Sequence, residues 1–315
     1  MQKVVGYLLD YQRQYFDWKL YLTIALFLAA CIAVNYRFDF EHSVINAYYG
    51  QPIRWFWMFL FHAFPIVVIS FILVVFGKIE NCFAKREFWL KLVVGVGILA
   101  FGRAFYGIDY LAQFFPRDAF FFIRKCLYWS SSLVVTVLPL LVAYYFLERQ
   151  DKPKIWYGLS MRKFDPKPYL LMLLITAVVI GIGSFMSDIQ AYYPRVMHAN
   201  MDLFLKEYQW QRWQAIALFE LCYGSDFIAV ELVYRGFLVL AFTRILGPYA
   251  VLTMIGSYCF LHFDKPMGEA ISSIFGGYVL GIISLSTRNI WGGVCLHIGV
   301  AWLMELFGWW QSERG

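Results

Sequence analysis

The chain has 315 residues, of which 61% are hydrophobic, 21% aromatic and only 15% charged, whereas a soluble domain averages about 25% charged residues. The formal net charge is +6, but the basic residues lie in short segments between apolar runs. That pattern is typical of membrane topology and not of a nucleic-acid-binding surface. The six cysteines are scattered without a CxxC pair, which argues against a disulfide framework or a zinc cluster. The composition excludes a soluble domain and predicts an all-α, polytopic integral membrane protein.

Nine apolar segments approach the length of about 20 residues that a helix needs to cross the hydrocarbon core. In chain order they are 20–36, 55–77, 88–102, 126–147, 169–187, 215–245, 249–263, 270–287 and 290–310. Since the short segments need not all cross, the sequence predicts eight or nine transmembrane helices. In the segment 270–287, Gly276, Gly277 and Gly281 form a pattern of small residues that permits close contact between helices.

A basic segment divides the chain. Residues 148–168 carry six Lys or Arg, three acidic residues and three prolines between two apolar runs. Short basic loops face the cytoplasm in most membrane proteins, so we expect a cytoplasmic linker at 149–168 and a cytoplasmic N-terminus. The predicted organisation is 1–148, N-terminal helices of unassigned role; 149–168, linker; and 169–315, functional core. The short loops favour a bacterial plasma (inner) membrane.

Ionisable residues interrupt the apolar stretch 223–242, which holds Asp226, Glu231 and Arg235. A charge at membrane depth costs a few kcal/mol or more, so such residues usually face protein or water and often mark a functional site. Glu231 and Arg235 are four residues apart, which places them on one face of a helix, where they can pair. Taken alone, the two residues are equally compatible with a structural ion pair and with a catalytic role.

Two later apolar segments carry one histidine each, His262 and His297. Tyr258 precedes His262 by four residues, so on a helix it can stack against or orient the imidazole. A desolvated glutamate becomes a better base, a neighbouring histidine can share the proton, and a second histidine can donate to a developing oxyanion. These residue types therefore favour water activation, although either histidine alone is most simply a packing residue.

Three motifs in order carry a resemblance to a known family. Glu231 to Arg235 matches the end of an EExxxR motif, Tyr258 to His262 matches FxxxH, and His297 begins a variant of HxxxN. Over about residues 210–310 the chain resembles the CPBP family of intramembrane proteases, which includes CAAX prenyl endopeptidases related to Rce-one and bacterial Abi proteins. The resemblance implies a helical bundle with a water-accessible cavity in the membrane and a metal-free endopeptidase.

The resemblance also implies roles for individual residues. His262 would activate water together with a glutamate, and His297 would stabilise the oxyanion. Two positions depart from the family pattern: the first glutamate is Val230 and the last asparagine is Ala301. Glu231 therefore either serves as the base or only holds Arg235, and in the second case the chain is an inactive relative.

Asp226 is a reserve candidate for the missing carboxylate, and Asp226 and Tyr258 are candidate substrate-positioning residues. The expected partners are the lipid bilayer and a hydrophobic or membrane-proximal peptide or protein substrate, without nucleic acid. No cofactor is expected.

Two alternatives stay open. In the first, Glu231, His262 and His297 are three ligands of a zinc hydrolase with an open water position; the nearby Arg235 and the absence of HExxH argue against it. In the second, the chain is a non-catalytic membrane scaffold or a transporter. Transporters commonly show repeated halves, and the two halves of this chain are dissimilar.

Overall fold

A computed structural model describes residues 2–148, 155–161 and 164–312. Within these ranges the regular structure is helical and contains no strand. The α-helices are, in chain order, α1 (Gln2–Tyr15), α2 (Trp18–Phe38), α3 (Ile53–Val75), α4 (Arg86–Lys91), α5 (Gly97–Ala104), α6 (Gly107–Ala112), α7 (Phe120–Ser132), α8 (Leu138–Leu147), α9 (Lys167–Gly183), α10 (Ser187–Tyr192), α11 (Met201–Tyr208), α12 (Arg212–Glu231), α13 (Thr243–Leu246), α14 (Ala250–Phe260), α15 (Met267–Thr287) and α16 (Trp291–Ser312). The predicted all-α fold is confirmed.

Wider or tighter helical turns connect several of these helices. Four stretches of the described chain are π-helical, namely Glu41–Ile45, Leu92–Val96, Leu133–Val137 and Leu232–Ala241. Short 3-10 segments are Asn46–Tyr48, Cys82–Ala84, Trp156–Gly158, Arg195–Ala199 and Gly247–Tyr249. π-Helical turns are rare and often occur at functional sites. The longest of them directly follows α12, where the sequence places its charged residues.

Seven helices of the described chain are long and apolar enough to cross a membrane, or eight if the bent pair Lys167–Gly183 and Ser187–Tyr208 is one span. The structure confirms a polytopic membrane bundle, and its number of spans reaches the lower predicted number, eight, when the bent pair is counted as one span. The sequence predicts separate spans at 215–245 and 249–263, whereas the structure joins them in one helical run, Arg212–Phe260. Pro248 does not end this run because proline is tolerated in the first turn of a following helix.

The predicted linker at 149–168 lies partly outside the described residues, which omit 149–154 and 162–163. The described chain forms two compact units that alternate along the sequence. Unit 1 contains Met1–Ala104, Pro139–Phe164 and Glu231–Gly293, and unit 2 contains Phe105–Leu138, Asp165–Val230 and Val294–Gly315. The predicted division into N-terminal helices (1–148), linker (149–168) and functional core (169–315) stays a prediction.

Unit 1 is built around α14, in which every residue is buried. Its close neighbour is α15, and glycines on α15 face large side chains of α14. A Cβ atom added at Gly277 would lie 2.9 Å from the ring of Tyr258, and one added at Gly281 would lie 2.8 Å from Met254. Gly276 faces open space. Two of the three predicted packing glycines therefore serve that purpose.

Unit 2 has an apolar core of its own, to which α7, α11, α12 and α16 contribute. The rings of Phe122 and Phe204 stack at 4.3 Å within it. Glu305 is 6% exposed, and its carboxylate accepts the backbone N–H groups of Arg195 and Val196 at 2.9 and 3.4 Å. This buried carboxylate therefore satisfies the start of the 3-10 segment Arg195–Ala199.

A buried ion cluster in unit 1 holds the end of the long π-helical stretch. The side chains of Lys91 and Glu148 are only 1% and 2% exposed and pair at 2.7 Å. The Lys91 ammonium also pairs with Glu87 at 2.9 Å and donates to the carbonyl of Ala241 at 2.8 Å. Arg244 contacts the second oxygen of Glu148 at 3.3 Å. Because Ala241 is the last π-helical residue, the cluster fixes the point at which this stretch ends.

We expect Lys91→Met to lower the free energy of unfolding by about 3–5 kcal/mol, because the buried Glu148 carboxylate loses its nearest partner. The measurement is thermal or denaturant unfolding of the detergent-solubilised chain. A matched control is Lys85→Met, which breaks an ion pair of similar length, 2.8 Å to Glu80, between side chains that are 41% and 84% exposed. An exposed pair contributes about 1 kcal/mol or less, so equal losses in the two variants would contradict this account.

Candidate functional site

The predicted pair of Glu231 and Arg235 is present in unit 1. Glu231 is the last residue of α12, and Arg235 lies in the first turn of the π-helical stretch. The Arg235 Nη1 atom lies 3.0 Å from Glu231 Oε1, and both side chains are fully buried. Removing either member would leave an uncompensated buried charge, which costs several kcal/mol. Each side chain therefore gives the other an oppositely charged partner inside an apolar bundle.

Tyr258 links this ion pair to His262. The Arg235 guanidinium lies over the Tyr258 ring, 4.1 Å from its centroid. The His262 ring meets the same Tyr258 ring nearly edge-on, and the two ring centroids are 4.7 Å apart. Glu231, Arg235, Tyr258 and His262 thus form a continuous row of side-chain contacts, which we call the charged row. It confirms the predicted contact between Tyr258 and His262.

The structure also fixes the tautomer of a neutral His262. Its Nδ1 atom lies 2.9 Å from the backbone carbonyl of Tyr258. A carbonyl oxygen can only accept a hydrogen bond, so Nδ1 carries the proton in this contact. The Nε2 atom of the neutral ring then carries a lone pair and no proton. This is the arrangement of an imidazole that can act as a general base.

Two glycines permit the close backbone contacts on which the charged row depends. A Cβ atom added at Gly293, in the first turn of α16, would overlap the Oε2 atom of Glu231. A Cβ atom added at Gly236 would lie 2.5 Å from the carbonyl oxygen of Tyr157. Gly236 is thus the residue that lets the Trp156–Gly158 turn approach the π-helical stretch beside Arg235.

The remaining candidates lie in unit 2. His297 is half-buried on α16, and its ring lies 4.2 Å from that of Phe227, tilted by 33°. Asp226, on α12, is also half-buried. Ala301, where the family pattern has asparagine, is buried in the apolar core of unit 2. That His297 joins Glu231 and His262 in one pocket stays a prediction.

Among the described residues, no group of three or more His, Cys, Asp or Glu side chains is arranged to hold a metal ion. The zinc alternative therefore gains no support from the geometry.

Sequence reasoning missed a buried carboxyl near the His262 turn. Glu41 is 4% exposed, and its Oε2 atom has no hydrogen-bond partner among the described residues. Burial, with a smaller contribution from the negative Asp264, raises the pKa of Glu41 to about 8, although Arg103 and Arg54 oppose part of this shift. Glu41 lies outside the apolar segments, so its sequence context gave no sign of burial.

Comparison with known proteins supports the resemblance predicted from the motifs. Residues 212–303 match the family model described as type II CAAX prenyl endopeptidase Rce1-like. These residues include the charged row and His297, and the match confirms the predicted family. The chain matched none of the curated proteins and none of the solved structures with which it was compared.

We expect Gly293→Ala to lower the free energy of unfolding by about 1–3 kcal/mol, the usual cost of inserting an extra methyl group into a packed site. The added methyl group would displace the Glu231 carboxylate from its position beside Arg235. Thermal unfolding in detergent measures the loss. Gly276→Ala is the matched control, since nothing lies within 4 Å of the added atom and alanine favours a helix by about 1 kcal/mol. If both variants were equally stable, the close contact at Gly293 would be wrong.

Glu41 predicts a pH-dependent stability. Between pH 6 and 8 the folded state keeps a proton that the unfolded state, with an ordinary pKa of 4.5, has lost. Stability therefore falls as the pH rises through this range, by about 2 kcal/mol at 1.36 kcal/mol per pKa unit. We expect Glu41→Gln to remove this part of the dependence when unfolding is measured at pH 6 and 8.

The exposed Glu80 supplies the control, because its partner Lys85 lowers its pKa further below this range. Glu80→Gln should keep the pH dependence of the unchanged chain. The role of Glu41 would be contradicted if the Glu41→Gln variant lost as much stability between pH 6 and pH 8 as the unchanged chain loses.

Proposed function

Since residues 212–303 belong to the Rce1-like family of type II CAAX prenyl endopeptidases, we propose that this chain is an intramembrane endopeptidase. Its substrate would be a peptide or protein cleaved near a hydrophobic or membrane-proximal segment. The observation that carries the proposal is the charged row, in which a buried carboxylate, an arginine, a tyrosine and a histidine follow one another in contact. A bundle that needed only to span the membrane would not require this set of polar groups at the centre of unit 1.

Water activation is assigned to Glu231 and His262. Arg235 holds Glu231 in place, and the carboxylate accepts a hydrogen bond from a water molecule and orients it. His262, with Nδ1 engaged by the carbonyl of Tyr258, offers Nε2 as the proton acceptor. The water oxygen attacks the scissile carbonyl carbon while its proton passes to His262. The imidazolium then returns that proton to the leaving amine nitrogen as the carbon–nitrogen bond breaks.

The oxyanion of the tetrahedral intermediate is assigned to His297. A ring N–H donates to the negative oxygen as it forms, and such a donor is typically worth about 10²–10³ in rate. Ala301 offers no side-chain hydrogen bond and packs in an apolar core. We therefore place the whole side-chain contribution on His297, in contrast to the His–Asn pair that the family pattern implies.

The departure at Val230 is compatible with activity. Val230 is half-buried, whereas Glu231 is fully buried and paired. Of the two glutamates in the family motif, this sequence thus retains the second, Glu231, which is the one that pairs with Arg235. We propose that Glu231 combines two tasks, positioning by Arg235 and polarisation of water, and that Asp226 is not the base.

The proposal includes a metal-free reaction in an integral membrane protein. The basic linker supports a cytoplasmic N-terminus, and the short loops favour a bacterial plasma membrane. Metal analysis of the purified chain tests the first part. We expect activity to resist chelators; stoichiometric zinc together with chelator-sensitive cleavage would favour the zinc hydrolase instead.

We expect Glu231→Gln, His262→Ala and His297→Ala each to lower the cleavage rate at least about 100-fold, the contribution of one general base or one oxyanion donor. The measurement uses the full chain in proteoliposomes and quenched fluorescent peptides, with and without a farnesylated C-terminal cysteine. Size-exclusion chromatography and thermal unfolding show whether each variant is folded.

Glu80→Gln is the control for loss of a carboxylate, since Glu80 lies on an exposed turn; it should cleave at the unchanged rate. Cleavage by Glu231→Gln at the rate of the unchanged chain would show that the assigned carboxylate is wrong. A folded chain that cleaves neither peptide would favour the inactive scaffold.

A further inference from the structure

The turn that carries His262 is not part of a regular helix. The helix α14 ends at Phe260, and the chain turns through Leu261–Lys265 before α15 begins at Met267. From His262 onward the local backbone hydrogen bonds span three residues, such as the bond from Lys265 N–H to the His262 carbonyl at 3.2 Å. The last carbonyls of a helix lack partners within the helix, so this turn needs partners from elsewhere.

Two adjacent residues near the end of α2 supply those partners. The Asn35 side-chain amide donates to the carbonyl of Phe263 at 3.0 Å. The Tyr36 hydroxyl lies 2.7 Å from the carbonyl of Lys265 and 3.3 Å from that of His262. More than 220 residues of sequence separate the two sides of these contacts. One end of α2 therefore contacts three carbonyls of this turn, those of His262, Phe263 and Lys265.

The orientation of Asn35 is fixed at both ends of its amide. Its Oδ1 atom accepts the backbone N–H of Glu41 at 3.0 Å, and its nitrogen must then face Phe263. The residue is buried, at 4% exposure. A buried amide that makes both hydrogen bonds specifies one arrangement, because any other leaves a polar group unpaired. Asn35 thus couples the π-helical segment Glu41–Ile45 to the turn.

An ion pair adds a third attachment. Arg103, at the end of α5, lies 3.6 Å from Asp264, and its backbone carbonyl accepts a hydrogen bond from Arg54 at 3.1 Å. The side chain of Asp264, two residues after His262, is therefore also held by an N-terminal helix. The backbone of the turn is thus bonded to α2, and its Asp264 side chain is paired with α5.

We propose that Asn35 and Tyr36 are positioning residues, which fix the turn at 261–265 and thereby the direction of the His262 imidazole. This assigns a role to the N-terminal helices, which is to hold the histidine of the charged row in one geometry. The inference rests on the proposed function, because a fixed imidazole matters for proton transfer. A general base must stay within hydrogen-bond reach of the proton that it takes, and a shift of about 1 Å can cost 10²-fold in rate.

The decisive variant is Tyr36→Phe, which removes one hydroxyl group and keeps the ring. We expect backbone hydrogen exchange in peptides covering 261–265 to become roughly 3- to 10-fold faster, the change that the loss of one net hydrogen bond produces. We also expect faster modification of His262 by diethyl pyrocarbonate, followed by mass spectrometry over a range of pH. Both measurements use the full chain in detergent and need no substrate.

The matched control is Tyr21→Phe. Tyr21 lies on the same helix, and its hydroxyl contacts the hydroxyl of Tyr278 on α15 at 2.8 Å and not the turn. Exchange at 261–265 and modification of His262 should stay unchanged in this variant. A second variant, Asn35→Asp, keeps the size and the acceptor oxygen but cannot donate to Phe263, so it should loosen the turn as Tyr36→Phe does.

The outcomes separate the two proposals. If Tyr36→Phe and Asn35→Asp leave exchange at 261–265 and the reactivity of His262 unchanged, the positioning role is wrong even where the chain cleaves its peptide. If the turn loosens but the unchanged chain cleaves nothing, the attachment holds and the proteolytic function fails. Where the chain is active, Tyr36→Phe should lower kcat several-fold and change KM less than twofold, because the contacts lie on the histidine side and not on the peptide. An equal rise in KM would overturn the positioning role.

Discussion

The structure of unit 1 depends on a charged pair that has no access to solvent. Glu231 and Arg235 are fully buried, and burying either charge alone would cost several kcal/mol. Each residue therefore requires the other, and the surrounding backbone must leave room for both. The glycines at 236 and 293 provide that room, one beside the turn at Tyr157 and the other against the Glu231 carboxylate. The aromatic face of Tyr258 adds a third attractive contact for the guanidinium.

The π-helical stretch after Glu231 is held in place in part by the same buried ion pair. Ten residues, Leu232–Ala241, adopt this wider turn and all of them are buried. A π-helix is less favourable than an α-helix, so its persistence needs compensating contacts. The buried Lys91 ammonium supplies one at the far end by donating to the carbonyl of Ala241. Ion clusters thus hold both ends of the stretch, the Glu231–Arg235 pair at its start and the Lys91 cluster at its end.

The N-terminal helices contribute to unit 1 in a way that their sequence conceals. The helices α2, α3 and α5 are apolar and read as ordinary spans, yet α2 ends in two polar residues that bond to the backbone of the His262 turn. On our proposal, the family match over 212–303 contains the reacting groups, and residues before 105 supply the support that orients one of them. Reacting groups on an irregular turn need such support to stay in place.

The sequence by itself determined the fold class, the approximate spans and the resemblance of about residues 210–310 to a protease family, whose model matches residues 212–303. These features depend on local composition and on short motifs, which can be read from the sequence without knowing the tertiary structure. It also predicted the contacts between Glu231 and Arg235 and between Tyr258 and His262, because residues four apart on a helix must be neighbours.

Only the tertiary structure decided the rest. The burial of Glu41, the close contact at Gly293 and the attachment of Asn35 to Phe263 join parts of the chain that are far apart in sequence. A hydrogen bond between distant residues has no periodic signature, so no pattern in one sequence could have shown these contacts. The tautomer of His262 depends instead on a local contact, since α14 ends just before it and leaves its Nδ1 beside the Tyr258 carbonyl.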